Sequence, residues 1–234
     1  MSRIQSWGKR PFVFVLWGSG LFVALTLVGM LIYPGGTHTD PANPGYAFFQ
    51  NFFSDLGRFE AHNGTPNWLS APLFFVALSF AGLGLVFFFI VSPQFFGESR
   101  LQRVLSVSGS LFGVISGFAY VGIAFAPADV SPGAHFRFVM LAFRSFLPAV
   151  IFYFVVILAN RDYPNRYAVV YAVFSILLAA YILLITRGPG FDTAEGILIQ
   201  ATGQKIIVYA AIITVFVQSW GAKKLAGAGQ PVSR

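Results

Sequence analysis

The apolar residues of this chain fall in six long blocks, and that pattern constrains its fold more than any other feature. The blocks run from about Pro11 to Tyr33, Ser70 to Val91, Val104 to Phe125, Phe136 to Leu158, Ala168 to Thr186 and Ile199 to Trp220. Each approaches the roughly 20 residues that a helix needs to cross hydrocarbon. A backbone in lipid must satisfy its own hydrogen bonds, so only helices and closed barrels can span. Barrel strands would appear as short alternating segments, which are absent. The expected fold is therefore all-α, an integral membrane six-helix bundle, with residues 1–234 forming one transmembrane domain. Charged residues make up only 10% of the chain against about 25% in soluble domains. That leaves too little polar surface for a water-soluble fold.

Loop charges predict an orientation. With the N-terminus inside, the inner segments hold Arg3, Lys9, Arg10, Arg100, Arg103, Arg161, Arg166, Lys223, Lys224 and Arg234, opposed only by Glu98 and Asp162. The outer segments hold Arg58, Arg137 and Arg187 against Asp40, Asp55, Glu60, Asp129, Asp192 and Glu195. This asymmetry follows the positive-inside rule and places both termini in the cytoplasm of a bacterial or archaeal plasma membrane. The net charge of +7 belongs to these membrane flanks and forms no patch for nucleic acid. The first block follows Arg3, Lys9 and Arg10 like a signal peptide, but it lacks a small-residue cleavage site and reads as a retained anchor. There is no cysteine, which excludes disulfides and thiolate chemistry within the chain.

The connections differ in character. Ser92–Arg103 and Asn160–Tyr167 read as plain basic turns, and Gly221–Arg234 as a mobile tail. The longest connection, residues 34–69, opens with the turn-rich GGTHTDPANPGY, and its middle, AFFQNFFSDLGRF, is too apolar for a solvated loop. The expectation there is a short helix or re-entrant segment at the interface. Gly109, Gly113 and Gly117 recur at four-residue spacing, a small-residue face that reads as tight helix packing ahead of a ligand channel.

Polar residues at membrane depth are costly and so mark candidate sites. Asn51, Ser54, Asp55 and Arg58 stand at i, i+3, i+4 and i+7, which is one face if that stretch is helical. They read either as a capped turn ended by Gly57 or as a polar face turned into the bundle. Asp129 and His135 flank a turn set by Pro127, Pro132 and Gly133. They could do acid–base work or bind a metal, or be an ordinary exposed loop pair. Arg144 lies about two turns inside the fourth block and stays charged. It needs a carboxylate, backbone carbonyls or an anionic ligand, and Asp55 and Asp129 are its expected partners. Gln200, Gln204 and Lys205 end the set, with Lys205 either snorkelling outward or joining the cluster. All four groups belong to the outer half, which predicts one outward-facing polar pocket, with no comparable set on the inner side.

These residues resemble a family of polytopic membrane proteins catalogued as domain of unknown function 998. The likeness rests on Ser54-Asp55-Leu56-Gly57 after the first span, on Pro127 and Asp129 followed by His135, and on Gly203 with Lys205 in the last span, where the family more often has Arg. The resemblance spans the whole chain and implies the six-helix fold, but no settled activity. A looser likeness joins the chain to the superfamily of ceramidases and progestin-receptor-like hydrolases, which use Ser, Asp and His with zinc. The chain departs from it: no His follows Ser54 by four residues and the last span has no His pair. No metal is therefore assigned, and the cofactor is unknown.

Two functions remain open at this level. The first, to which the reading leans, is non-enzymatic: a lipid or small-ligand binder, or an accessory subunit beside other membrane subunits. Its candidate ligand-binding residues are Asn51, Ser54, Asp55, Arg58, Asp129, His135, Arg144, Gln204 and Lys205. The alternative is a membrane-embedded hydrolase or transferase acting on a lipid. In it His135 is the base, Asp55 or Asp129 its partner, Ser54 the nucleophile and Arg144 a phosphate clamp. A transporter would show repeated halves or broken helices, and neither is visible. His38, His62 and His135 all fall outside the blocks, so no bis-His haem site is expected within the bundle.

Overall fold

A computed structural model describes residues 8–227, so Arg3 and Arg234 lie outside the described residues. Six helices follow the apolar blocks: α1 (Arg10–Ile32), α2 (Ser70–Val91), α3 (Arg100–Phe125), α4 (Pro132–Leu158), α5 (Arg166–Arg187) and α6 (Ala194–Gly227). Each is long and apolar enough to cross a membrane. The differences from expectation lie at the ends. The α3 helix starts at Arg100 because Ser99 Oγ accepts the Gln102 N–H at 3.1 Å and caps it. Pro132 opens α4, where a missing N–H costs nothing, and this draws His135 out of the expected loop into the helix. The α6 helix continues to Gly227 and takes in residues 221–227 of the segment expected to be a mobile tail, the remainder of which lies outside the described residues.

Each helix packs on its neighbours in sequence, and α6 returns against α1, closing a ring of six. Aromatic rings fill the interior: Phe89 meets both Phe146 and Tyr153, and Phe146 meets Phe174. At the α2–α3 seam the two backbones come close together. A Cβ on Gly82 would stand 2.7 Å from the Gly117 carbonyl oxygen, and one on Gly113 would collide with the Phe89 ring. The glycine face of α3 is thus a packing face.

The 33–69 connection folds as a cap over one end of the ring. Gly36, at φ +80°, lies so close to the His62 backbone that a Cβ would stand 2.7 Å from its carbonyl carbon. The expected interfacial helix is reduced to a 3-10 turn over Phe53–Gly57, with Phe53, Asp55 and Leu56 buried. Side chains there bind backbone groups that a longer helix would need. Leu56 is anchored through its carbonyl oxygen, which accepts from Asn67 Nδ2 at 3.0 Å and Ser70 Oγ at 3.1 Å.

The other end of the ring is not the plain face expected from sequence. Buried Asn160 accepts the N–H groups of Asp162 and Tyr163 at 3.0 and 2.8 Å and donates to Gln102 Oε1 at 3.2 Å. Gln102 Nε2 in turn donates to the Ala159 carbonyl at 3.0 Å. The polar network locks the α4–α5 turn to the start of α3, which fits a structural role.

Candidate functional site

The cap presses its 3-10 turn between α1, α2 and α6, and Asp55 organises it. Asp55 Oδ2 accepts the Phe52 N–H at 2.8 Å and Asn51 Nδ2 at 3.1 Å, while Oδ1 pairs with His62 Nε2 at 3.1 Å. Asn51 also donates to the Gly36 carbonyl at 3.0 Å and accepts the Ala47 N–H at 2.8 Å. Asn51 and Asp55 therefore meet as the sequence spacing suggests, but inside a capped turn. Lys205 reaches the same knot from α6 and donates to the Asn51 carbonyl. Its ammonium lies 5.3, 5.1 and 5.6 Å from the ring centres of Tyr46, Phe48 and Phe53. A lysine that is only 2% exposed is tolerable in this cage because π faces and a carbonyl replace water. Gln204, one residue earlier, accepts the Phe53 N–H at 2.7 Å. At the edge of the cap, Tyr33 hydroxyl accepts the His62 N–H at 3.3 Å. Burial first, and then the charge of Asp55, push its phenol up to about 12.

Three expected members stand apart from this knot. Arg58 sits in extended backbone beyond Gly57 and donates from Nε to the Glu60 carbonyl at 3.0 Å, because the helical face it was assigned to ends before it. Gln200 donates to the Leu184 and Pro189 carbonyls at 3.0 and 2.9 Å and ties α6 to the preceding turn. Arg144 is exposed on the outside of α4 and pairs with neither Asp55 nor Asp129. Among the described residues His62–Asp55 is the one salt bridge. The expected pairing fails because α4 presents residue 144 on the face opposite the ring interior.

Asp129 and His135 also serve different neighbours. Asp129 Oδ2 accepts the N–H groups of Phe59 and Glu60, both at 2.9 Å, and staples the α3–α4 turn to the cap. His135 is buried, and its Nδ1 stands 2.8 Å from the Ala126 carbonyl oxygen. A carbonyl only accepts, so Nδ1 carries a proton, and in the neutral form of the ring Nε2 is then the acceptor nitrogen. The carboxylate partner expected for His135 is replaced by a backbone oxygen.

The space around His135 is divided in two. An interior chamber between α1, α2, α3, α4 and α6 has a volume of about 90 Å³, with Ser19, Ser54, Tyr120, His135 and Gln204 as the polar side chains of its otherwise apolar walls. A lateral cleft between α2 and the end of α3 is roomier, at about 400 Å³. Ser54 and His135 line both. The rim of the cleft carries Phe59, Trp68 and Phe125, which are 61%, 80% and 69% exposed. No Lys, Arg, Asp or Glu lines either space. Asn67, buried beside the cleft, has an Oδ1 with no hydrogen-bond partner. Among the described residues no three His, Asp or Glu side chains gather as metal ligands.

Sequence reasoning missed His62 as the partner of Asp55, Asn67 as the anchor of Leu56, and Tyr120 as a chamber residue. Tyr120 had a signal: with Gly113 and Gly117 it stands at i, i+4 and i+7, on the glycine face. His62 and Asn67 had none, since irregular backbone carries no period. No family model, curated protein or solved structure matches the chain.

Proposed function

We propose that the protein is a lipid-binding membrane protein that takes an uncharged, hydroxyl-bearing single-chain lipid through the lateral cleft. One observation carries the reading: Ser54 and His135 line both a cleft of about 400 Å³ and the interior chamber behind it. That size falls within the range of small-molecule sites, which combine apolar walls with a few oriented polar groups. The cleft supplies Phe59, Phe75 and Phe125 for an acyl chain, and the His135 acceptor nitrogen and Ser54 hydroxyl for a polar end. No cation lines it, which favours a neutral head over a phosphate and removes Arg144 from the clamp role. The resemblance to the domain of unknown function 998 family is compatible with this reading, as is an orientation with both termini in the cytoplasm and the cap outside.

The test is photo-crosslinking in phospholipid nanodiscs with an alkyne-tagged, diazirine-bearing monoacylglycerol. Labelling is expected on α2 and the end of α3. Ala124→Trp, which fills the cleft, and His135→Leu should each reduce it roughly 5- to 10-fold, the equivalent of about one hydrogen bond or slightly more. Labelling that is indifferent to both substitutions would sink the proposal.

A second reading has its own support. His135, whose Nδ1–H faces a carbonyl, and Ser54 line the same two spaces, and an imidazole Nε2 brought against a serine hydroxyl takes its proton. In that case the same incubation releases free fatty acid, and Ser54→Ala abolishes release while leaving labelling in place.

A further inference from the structure

The outward face of α4 carries a charge that nothing in the chain accounts for. Arg144 is the thirteenth of 27 residues between Pro132 and Leu158. At a rise of about 1.5 Å per residue it lies about 18 Å from one end of the helix and about 21 Å from the other. Hydrocarbon about 30 Å thick therefore places it close to the membrane midplane, too deep for its stem to bring the guanidinium to either surface. Its side chain is exposed, and along the same face Leu141 and Ile151 are each 45% exposed and Val155 40%. The flanking helices show lipid-facing Leu111 and Phe118 on α3 and Val173 and Ile176 on α5.

A second observation falls on the same spot. Pro148 lies inside α4, four residues after Arg144. Proline has no N–H, so the Arg144 carbonyl has no helical donor. One turn of helix at mid-membrane thus presents a permanent cation and an open backbone acceptor side by side, on a face whose other exposed charge, Arg137, lies seven residues nearer the Pro132 end. Guanidinium does not deprotonate to escape this cost. Intramembrane charges resolve it by pairing or by facing water.

We infer that α4 docks a transmembrane helix of a different protein, one that carries an Asp or Glu at the middle of its span opposite Arg144. A second copy does not fit the requirement. The chain has eight acidic residues, Asp40, Asp55, Glu60, Glu98, Asp129, Asp162, Asp192 and Glu195, and none stands near the middle of a span. The inference uses the outer face of α4 and no residue of the cleft, so it stands or falls separately from lipid binding.

The experiment uses the full chain, donor-labelled, in phosphatidylcholine vesicles with acceptor-labelled polyleucine helices bearing Asp, Glu or Leu at the centre. Energy transfer should show the Asp and Glu helices associating on the order of 10-fold more tightly than the Leu helix. Arg144→Leu should erase that preference, and Arg144→Lys should keep part of it. Arg144→Leu protein should unfold in detergent at an unchanged or higher temperature, because the exposed side chain makes no hydrogen bond or ion pair among the described residues. Equal association of all three helices, or a preference that survives Arg144→Leu, overturns the inference. So does Arg144-dependent self-association, which would make a second copy the occupant. Loss of the preference when phosphatidylglycerol is added would assign the charge to a lipid headgroup and overturn it equally. A destabilised Arg144→Leu protein would show an internal role and do the same.

Discussion

At the scale of single residues, the physical lesson is how few atoms hold the cap in place. Asp55 receives two donors on Oδ2 and His62 on Oδ1, and no other carboxylate of the cap is so fully engaged. Asp55→Asn can keep both Oδ2 contacts through its amide oxygen while the new N–H₂ faces His62, which accepts by changing tautomer. Asp55→Ala leaves the Phe52 N–H without its acceptor and one of the two Asn51 Nδ2 hydrogens unmatched, the other still donating to the Gly36 carbonyl. Asp55→Asn should cost about 1 kcal/mol and Asp55→Ala about 3 kcal/mol, since each buried group left unsatisfied costs about 1–3 kcal/mol. Thermal unfolding in detergent measures the order, and hydrogen exchange confined to residues 33–69 shows where the loss falls. Equal losses for the two would mean that hydrogen bonding to Asp55 is not what holds the cap. The spacing of Asn51 and Asp55 was legible in sequence because four residues of separation brings side chains together in any tight turn. The role of His62 was not, because it depends on how residues 58–67 fold back.

At the scale of elements, six helices were legible because lipid leaves the backbone no cheaper choice, and only their ends were misplaced. Ends are set by local capping at Ser99 and by Pro132, which hydropathy does not weigh. Seams between helices follow residue size. Gly113 sits under the Phe89 ring, whereas a Cβ on Gly84 would meet nothing nearer than 3.9 Å. Gly113→Ala should therefore destabilise the protein by about 1–3 kcal/mol through overpacking, while Gly84→Ala should leave the unfolding temperature unchanged. Similar melting of both variants would count against the α2–α3 seam as described.

At the scale of the whole molecule, the ring places its cap at one end and the Asn160 network at the other. The proposed orientation puts the cap outside. The absence of cysteine makes this directly testable: Asn63→Cys and Asp162→Cys each introduce a single thiol. In intact cells a membrane-impermeant maleimide should label Asn63→Cys and spare Asp162→Cys, and the reverse pattern would invert the topology. By itself the sequence determined the number of helices and the charge asymmetry of their flanks, because the cost of an unpaired peptide group or a charge in hydrocarbon depends on residue type alone. It also singled out Asn51, Ser54, Asp55, His135, Gln204 and Lys205 as polar groups in need of partners. Only the tertiary structure decided which of them meet: Asp55 with His62, His135 with a backbone carbonyl, Lys205 with the cap, and Arg144 with nothing inside the ring. Partnership depends on the rotation of each helix about its axis, and that angle is set by packing across the ring, which no local stretch of sequence contains.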